Sequence, residues 1–240
     1  MTPLSAPAYD YNTLPLDYYD RVFHRGKGVQ SAWHQLKFRR FKDEMGHYDN
    51  HLDIGCGPGT FIGSLNPNLK STGVDISSPQ IEHAKASYAT PQHQFQHIAE
   101  GTLPFEDETF DVVTLIELIE HLRMDNVLHL LQEARRVLKP AGRLLLSTPN
   151  YGSMWPVLEM IVNKVGEVSY ADQHITPLKK ETFRKVIAAS GFSVERVEAY
   201  HFSAPFFAAV KWEWARKVEK MEPFWLVNNF GNLLFGVGRK

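Results

Sequence analysis

The chain has 240 residues, 43% hydrophobic and 22% charged, which is ordinary globular composition with length enough for one generous domain and a full core. Its 26 basic residues meet 27 acidic ones for a net charge of −1, which argues against a nucleic-acid partner held chiefly through phosphates. The single cysteine, Cys56, excludes an internal disulfide framework and fits a reducing cytoplasmic setting.

Residues 1–15 are rich in Pro, Ala and turn formers and read as a loose arm without the basic-then-apolar pattern of a signal peptide. No apolar run approaches the ~20 residues of a membrane span. From Leu16 to Met45 the pattern is helical, interrupted at Gly26 and Gly28. Trp33, Leu36, Phe38, Phe41 and Met45 spread over a broad face, with Lys37, Arg39, Arg40 and Lys42 interleaved. This is either a helix packed on the main domain or a lid hinged at the glycines, with Tyr18, Tyr19, Gln30, Trp33 or His34 reaching a ligand.

The next stretch, His51-Leu52-Asp53-Ile54-Gly55-Cys56-Gly57-Pro58-Gly59-Thr60-Phe61-Ile62, reads as a strand, a glycine-rich turn and a helix start. Such a turn brings backbone close to a ligand, as nucleotide-like groups require at the carboxyl end of a first strand. Gly59–Leu65 reads as the crossover helix, Ser71–Ile76 as a second strand ending near an acid, Asp75, and Ser78–Tyr88 as a helix capped by Ser78 with Pro79 at its first helical position. Gln94–Ile98 is a weak third strand, and Phe110–Ile116 a strong apolar fourth, as expected of a strand covered on both faces.

Glu120–Leu138 reads as helix, broken by Pro140-Ala141-Gly142 before a fifth strand, Arg143–Ser147. Helices at 156–165 and 180–190, a strand at 192–200 and a last one at 233–239 follow. Strands alternating with helices specify an α/β fold with a doubly wound, mostly parallel sheet. Residues 201–230, rich in Phe and Trp, follow no clean stripe; they read as an amphipathic cover for the sheet, or as an apolar mouth or membrane-resting surface.

Asp53, inside the strand before the loop, would repel a pyrophosphate but suits a ligand carrying a sulfonium or ammonium charge. Asp75, about twenty residues on, stands where an acid accepts from ribose hydroxyls. Cys56 reads as small apolar filler within the loop.

LDIGCGPG, GVDIS, LPFEDETFDVV and RVLKPAGRLLLSTPN together, in that order over residues 51–150, resemble the successive motifs of class I S-adenosylmethionine-dependent methyltransferases. The resemblance implies a Rossmann-like seven-stranded fold, with residues 1–46 as arm and helical lid and 47–240 as the methyltransferase domain with an acceptor-site insertion at about 200–230. It implies cofactor contacts from Asp53, Gly55, Cys56, Gly57 and Gly59, from Asp75 and Ile76, from Ala99 and Glu100 at the adenine edge, and from Ile116. The family often has an acid where this chain has Ala99, and Glu100 stands next door.

The run Glu117-Leu118-Ile119-Glu120-His121 follows the fourth strand. On a helix, Glu120 and His121 would share a face with Glu117, a reasonable triad for a divalent metal such as Mg. The run is similar to that of ubiquinone-pathway O-methyltransferases and of small-RNA 3′-terminal 2′-O-methyltransferases. In the latter a later histidine, here His174, joins the metal set. The expectation is an O-methyltransferase acting on a small aromatic or lipid-like hydroxyl acceptor, with Glu117, His121 and His174 as catalytic candidates and His174 also readable as a metal-free base. Methylation of an RNA end and non-catalytic cofactor binding are the alternatives. The expected location is cytoplasmic, with peripheral membrane contact as a variant.

Overall fold

The structure, a computed structural model, describes residues 16–165 and 173–240, leaving out the side chains of Val162 and Val165; the arm expected at 1–15 lies outside the described residues. Seven strands form one sheet in the order β3-β2-β1-β4-β5-β7-β6. They are β1 Asn50–Ile54, β2 Lys70–Asp75, β3 His93–His97, β4 Phe110–Ile116, β5 Leu138–Pro149, β6 Ser193–Tyr200 and β7 Leu233–Arg239. The first five pair in parallel, and β7 runs antiparallel between β5 and β6. The order reverses at β1, so the carboxyl ends of β1 and β4 open the crevice where such sheets hold ligands.

Helices cover both faces. α1 (Tyr18–His24), α2 (Val29–Met45), α3 (Thr60–Gly63) and α4 (Ser78–Tyr88) bury Phe38, Phe41, Met45, Phe61, Ile62, Ile81 and Ala84 on one side. α5 (Met124–Val137) and α7 (Lys180–Ala189) pack Val127, Leu131, Ala134, Phe183 and Ile187 against the other. Strand β4 is apolar nearly throughout because both of its faces are covered. Phe41, fully buried and edge-on to Phe61 and Phe235, fixes α2 on the sheet; truncating such a side chain costs about 3–5 kcal/mol.

Three local expectations change. Pro140-Ala141-Gly142 does not precede the fifth strand but bulges within it: Phe110 pairs with Leu138 and Val112 with Arg143, so five residues advance against two, with Ala141 at φ +61°. The helix expected from Glu120 starts only at Met124; before it stands a single 3-10 turn, Ile119–His121. Residues 201–230 do not form one cover for the sheet. A 3-10 segment (Ala204–Ala209), α8 (Trp212–Met221) and α9 (Phe224–Phe230) follow in sequence, and Ala204, Ala208 and Ala215 pack on Ala32 and Leu36 of α2. Helix α6 (Trp155–Val165) leads toward the undescribed segment. Among the described residues no helix is long and apolar enough to cross a membrane.

Candidate active site

A cavity of about 440 Å³ opens at the carboxyl ends of β1, β2 and β4, within the usual range for a small-molecule site. One wall is the glycine loop after β1. Gly55 and Cys56 donate backbone N–H bonds to Val74 O (2.8 and 3.1 Å), which ties the loop to β2. Gly57, at φ +50°, donates its N–H to Asp75 Oδ2 (2.9 Å), and a Cβ there would meet no atom within 4 Å, so a side chain would fill ligand space. Asp75 Oδ1 accepts from Ser77 N–H (2.8 Å), and these bonds aim the carboxylate along the cavity edge.

The cavity lining includes Asp53, Gly55, Cys56, Gly57, Asp75, Ile76, Ala99, Glu100 and Ile116, all expected cofactor contacts. Gly59 is not among the lining residues: a Cβ there would lie 2.8 Å from both Ala84 Cβ and a ring carbon of Phe95, so this glycine serves close packing of α3 on α4 and β3. Burial pushes the Cys56 thiol well up, leaving an inert packing group. Burial likewise pushes the Asp53 carboxyl up to about 7, although Thr114 donates its hydroxyl to Asp53 Oδ1 at 2.5 Å.

The opposite wall divides the expected four-residue set. Because the chain leaves β4 with Glu117 at φ +51° and makes one 3-10 turn, Glu117 does not share a helical face with Glu120 and His121. Its carboxylate instead pairs with the ammonium of Lys37, from the buried side of α2. Burial would raise the Glu117 pKa, but the charge of Lys37 beside it holds it below the ordinary carboxylate value.

Glu120, His121 and His174 do converge, with one ligand-capable atom from each within 4.8 Å of the others. The loop carrying His174 is docked on the turn: Ile175 and Thr176 donate N–H bonds to Glu120 O (2.9 and 3.0 Å), and Thr176 Oγ1 donates to Leu122 O (2.5 Å). His121 Nδ1 lies 3.0 Å from Gln173 O, which can only accept, so the ring proton sits on Nδ1 and the lone pair on Nε2. Burial lowers the His121 pKa to about 4 and keeps the ring neutral. His174 Nδ1 pairs with the Glu159 carboxylate and lies 2.9 Å from the Tyr151 hydroxyl. Burial opposes charge on His174, yet Glu159 and the nearby carboxylates of Glu120 and Glu117 raise its pKa.

This donor set fits a divalent cation. Each imidazole is oriented through Nδ1 by a carbonyl or a carboxylate, the usual support behind metal-binding histidines, and Glu120 Oε1 is buried with no hydrogen-bond partner. Two imidazoles and one carboxylate favour a first-row transition ion over Mg.

Between these walls lie Tyr18, Tyr19, Gln30, Trp33 and His34 of α1 and α2, together with Trp155 and Phe206. Trp33 packs on Trp155 (ring centroids 5.6 Å apart) and edge-on to Phe206 (6.4 Å). Sequence reasoning treats Lys37 only as one of several helix cations and misses Glu159, Thr114 and Trp155. Nothing local marks them, since Lys37 meets Glu117 across 80 positions and Thr114 meets Asp53 across 61.

Residues 52–146 match the family model described as a methyltransferase domain. Over 105 residues the chain is 37% identical to the 27-O-demethylrifamycin SV methyltransferase of Amycolatopsis mediterranei, covering 41% of this chain and 38% of that protein. Over 102 residues it is 35% identical to the O-methyltransferase resE of Aspergillus sclerotiorum, covering 40% and 38%. The matches thus span under two fifths of these relatives' length. Among solved structures, a SAM-dependent methyltransferase of Thermotoga maritima superposes with a TM-score of 0.67 at 18% identity, covering 93% of this chain and 95% of that one. The fold is that of solved S-adenosylmethionine-dependent methyltransferases, and residues 52–146 within it carry the match to a methyltransferase domain.

Proposed function

We propose that the chain transfers the methyl group of S-adenosylmethionine to a hydroxyl of a small, aromatic or lipid-like acceptor. The observation that carries this reading is one cavity shared by the glycine loop with Asp75 on one wall and by Glu120, His121 and His174 on the other. The loop and Asp75 would hold the methionine and ribose parts, with Ile76, Ala99 and Glu100 at the adenine edge. Asp53 offers a negative charge toward a sulfonium. The aromatic wall of Tyr18, Tyr19, Trp33, Trp155 and Phe206 suits a flat or apolar acceptor better than an RNA end. The names of the two O-methylating relatives agree with oxygen as the accepting atom. Helices α1 and α2 would then act as the lid and the segment at 200–230, through Phe206, as part of the acceptor site.

In the transfer, an acceptor oxygen forms a bond to the methyl carbon as the carbon–sulfur bond breaks, its electron pair returning to sulfur. The cavity aligns the two centres, and the hydroxyl proton leaves to a base. His174, held by Glu159 and Tyr151, would take that proton. Alternatively, the same ring nitrogen of His174 would join Glu120 and His121 in holding a divalent cation, which when bound lowers the pKa of a coordinated hydroxyl. Turnover of a catechol panel with methyl-labelled cofactor, with and without chelator, tests the reading. Labelled methyl ether formed from a catechol supports it, and chelator sensitivity assigns the metal role. No binding of S-adenosylmethionine by calorimetry would overturn it.

A further inference from the structure

A chain of buried hydrogen bonds runs beneath the glycine loop, across three neighbouring strands. On β1, His51 and Asp53 are two residues apart and point to one face. The ladder sets His51 opposite Ser71 of β2 and Asp53 opposite Thr114 of β4. Tyr48 Oη lies 3.2 Å from Ser71 Oγ, Ser71 Oγ 3.1 Å from His51 Nδ1, and His51 Nε2 2.9 Å from Thr114 Oγ1, whose hydroxyl reaches Asp53 Oδ1 at 2.5 Å. His51, Ser71 and Thr114 are fully buried, and Asp53 shows 3% of its surface.

An ionised Asp53 fixes the direction of every proton in this chain. A carboxylate only accepts, so the Thr114 hydroxyl donates to it. Thr114 Oγ1 must then accept from His51 Nε2–H, which leaves the lone pair of the neutral ring on Nδ1. Ser71 therefore donates to Nδ1 and accepts from Tyr48. We infer that His51 and Thr114 are positioning residues that hold Asp53 ionised and aimed at the sulfonium of the bound cofactor, through a one-way hydrogen-bond relay that begins at Tyr48. This rests on the cofactor reading above. Donors aligned in one direction polarise one another and favour the charged end, offsetting the cost of burying the Asp53 carboxylate. The His51 ring is suited to the part because burial lowers its pKa to about 3 and keeps it neutral. The other titratable groups nearby are Asp75 on β2 and Cys56 in the loop, which face Asp53, and His93 of β3, which acts on His51.

Two measurements test the relay. Ring nitrogen shifts of the cofactor-free protein at pH 8, where Asp53 is ionised, should show His51 as the uncharged Nε2–H tautomer; an Nδ1–H tautomer or a protonated ring there overturns the relay whatever the cofactor proves to be. Calorimetry then compares S-adenosylmethionine with S-adenosylhomocysteine, which lacks the positive charge. T114V, nearly isosteric, and H51L should weaken the sulfonium ligand about tenfold at pH 7 while leaving the neutral one unchanged, and T114S should restore wild-type binding. Equal loss for both ligands, or none in variants of normal stability, overturns the proposal. Wild-type protein that binds neither ligand overturns the cofactor reading itself, and with it the role given to Asp53.

Discussion

The ammonium of Lys37, in the middle of α2, is buried against the carboxylate of Glu117 at the end of β4. This one ion pair joins the N-terminal helices to the edge of the cavity. Removing one member leaves an uncompensated charge in a largely dry place, whereas removing both leaves none. K37M should therefore lower unfolding free energy by about 3 kcal/mol in urea titrations, and K37M combined with E117Q should recover much of that loss. Additive losses in the double variant would mean that the two groups do not sense each other.

Two glycines of one loop should fail in different ways. G57A adds a methyl group to open cavity space at φ +50°, so it should fold with a loss of about 1–2 kcal/mol and bind S-adenosylmethionine at least about tenfold more weakly. G59A drives its methyl group into Ala84 and Phe95 and should lose about 1–3 kcal/mol. Thermal melts and calorimetry on the same preparations separate the two; equal binding and stability losses in both variants would contradict the assignment.

If Glu120, His121 and His174 hold a cation, Mn²⁺, Co²⁺ or Zn²⁺ should raise the melting temperature at concentrations where Mg²⁺ does not. E120A and H174A should abolish the rise. A rise that persists in both variants would place the ion elsewhere.

His201 is buried, with Nε2 2.9 Å from Trp33 O, and burial lowers its pKa to about 3. A histidine whose folded pKa lies below its unfolded value stabilises the fold above about pH 6.5, and that contribution is lost as pH falls toward the folded pKa. Asn accepts the left-handed backbone at this position, φ +58°, and does not titrate. Relative to H201N, the wild type should therefore lose about 1.4 kcal/mol per pH unit below pH 6.5. Asp53 and Glu120, both pushed up to about 7 by burial, oppose this trend in each protein and cancel in the difference. Parallel stability curves from urea titrations at several pH values would refute the assignment.

Much of the fold was legible because its signals are local. The glycine loop, the apolar run of β4 and Gly191, which stands just past the end of α7 at φ +89°, each declare an element within a few residues. The Glu117–His121 run misled for the opposite reason. Its spacing suits a helix, but the positive φ of Glu117 ends the strand in a way no pattern of side chains encodes. The same holds for what each site residue meets. His174 could be proposed from the order of motifs, whereas its support from Glu159 and Tyr151, like Lys37 on Glu117, exists only once α2, α6 and the 173–176 loop have docked.

The placement of β7 between β5 and β6 has a bearing on how the molecule is made. Of the seven strands it leaves the ribosome last, yet it occupies an interior rung. Until it emerges, β5 shows one bare edge and β6 has no neighbour at all, so α7, α9 and everything else that rests on β6 must wait for it. The parallel half around the glycine loop needs none of this and can assemble first. Nascent chains stalled before residue 233 should therefore carry a formed glycine loop beside an unpaired, adhesive sheet edge, the state most in need of a chaperone.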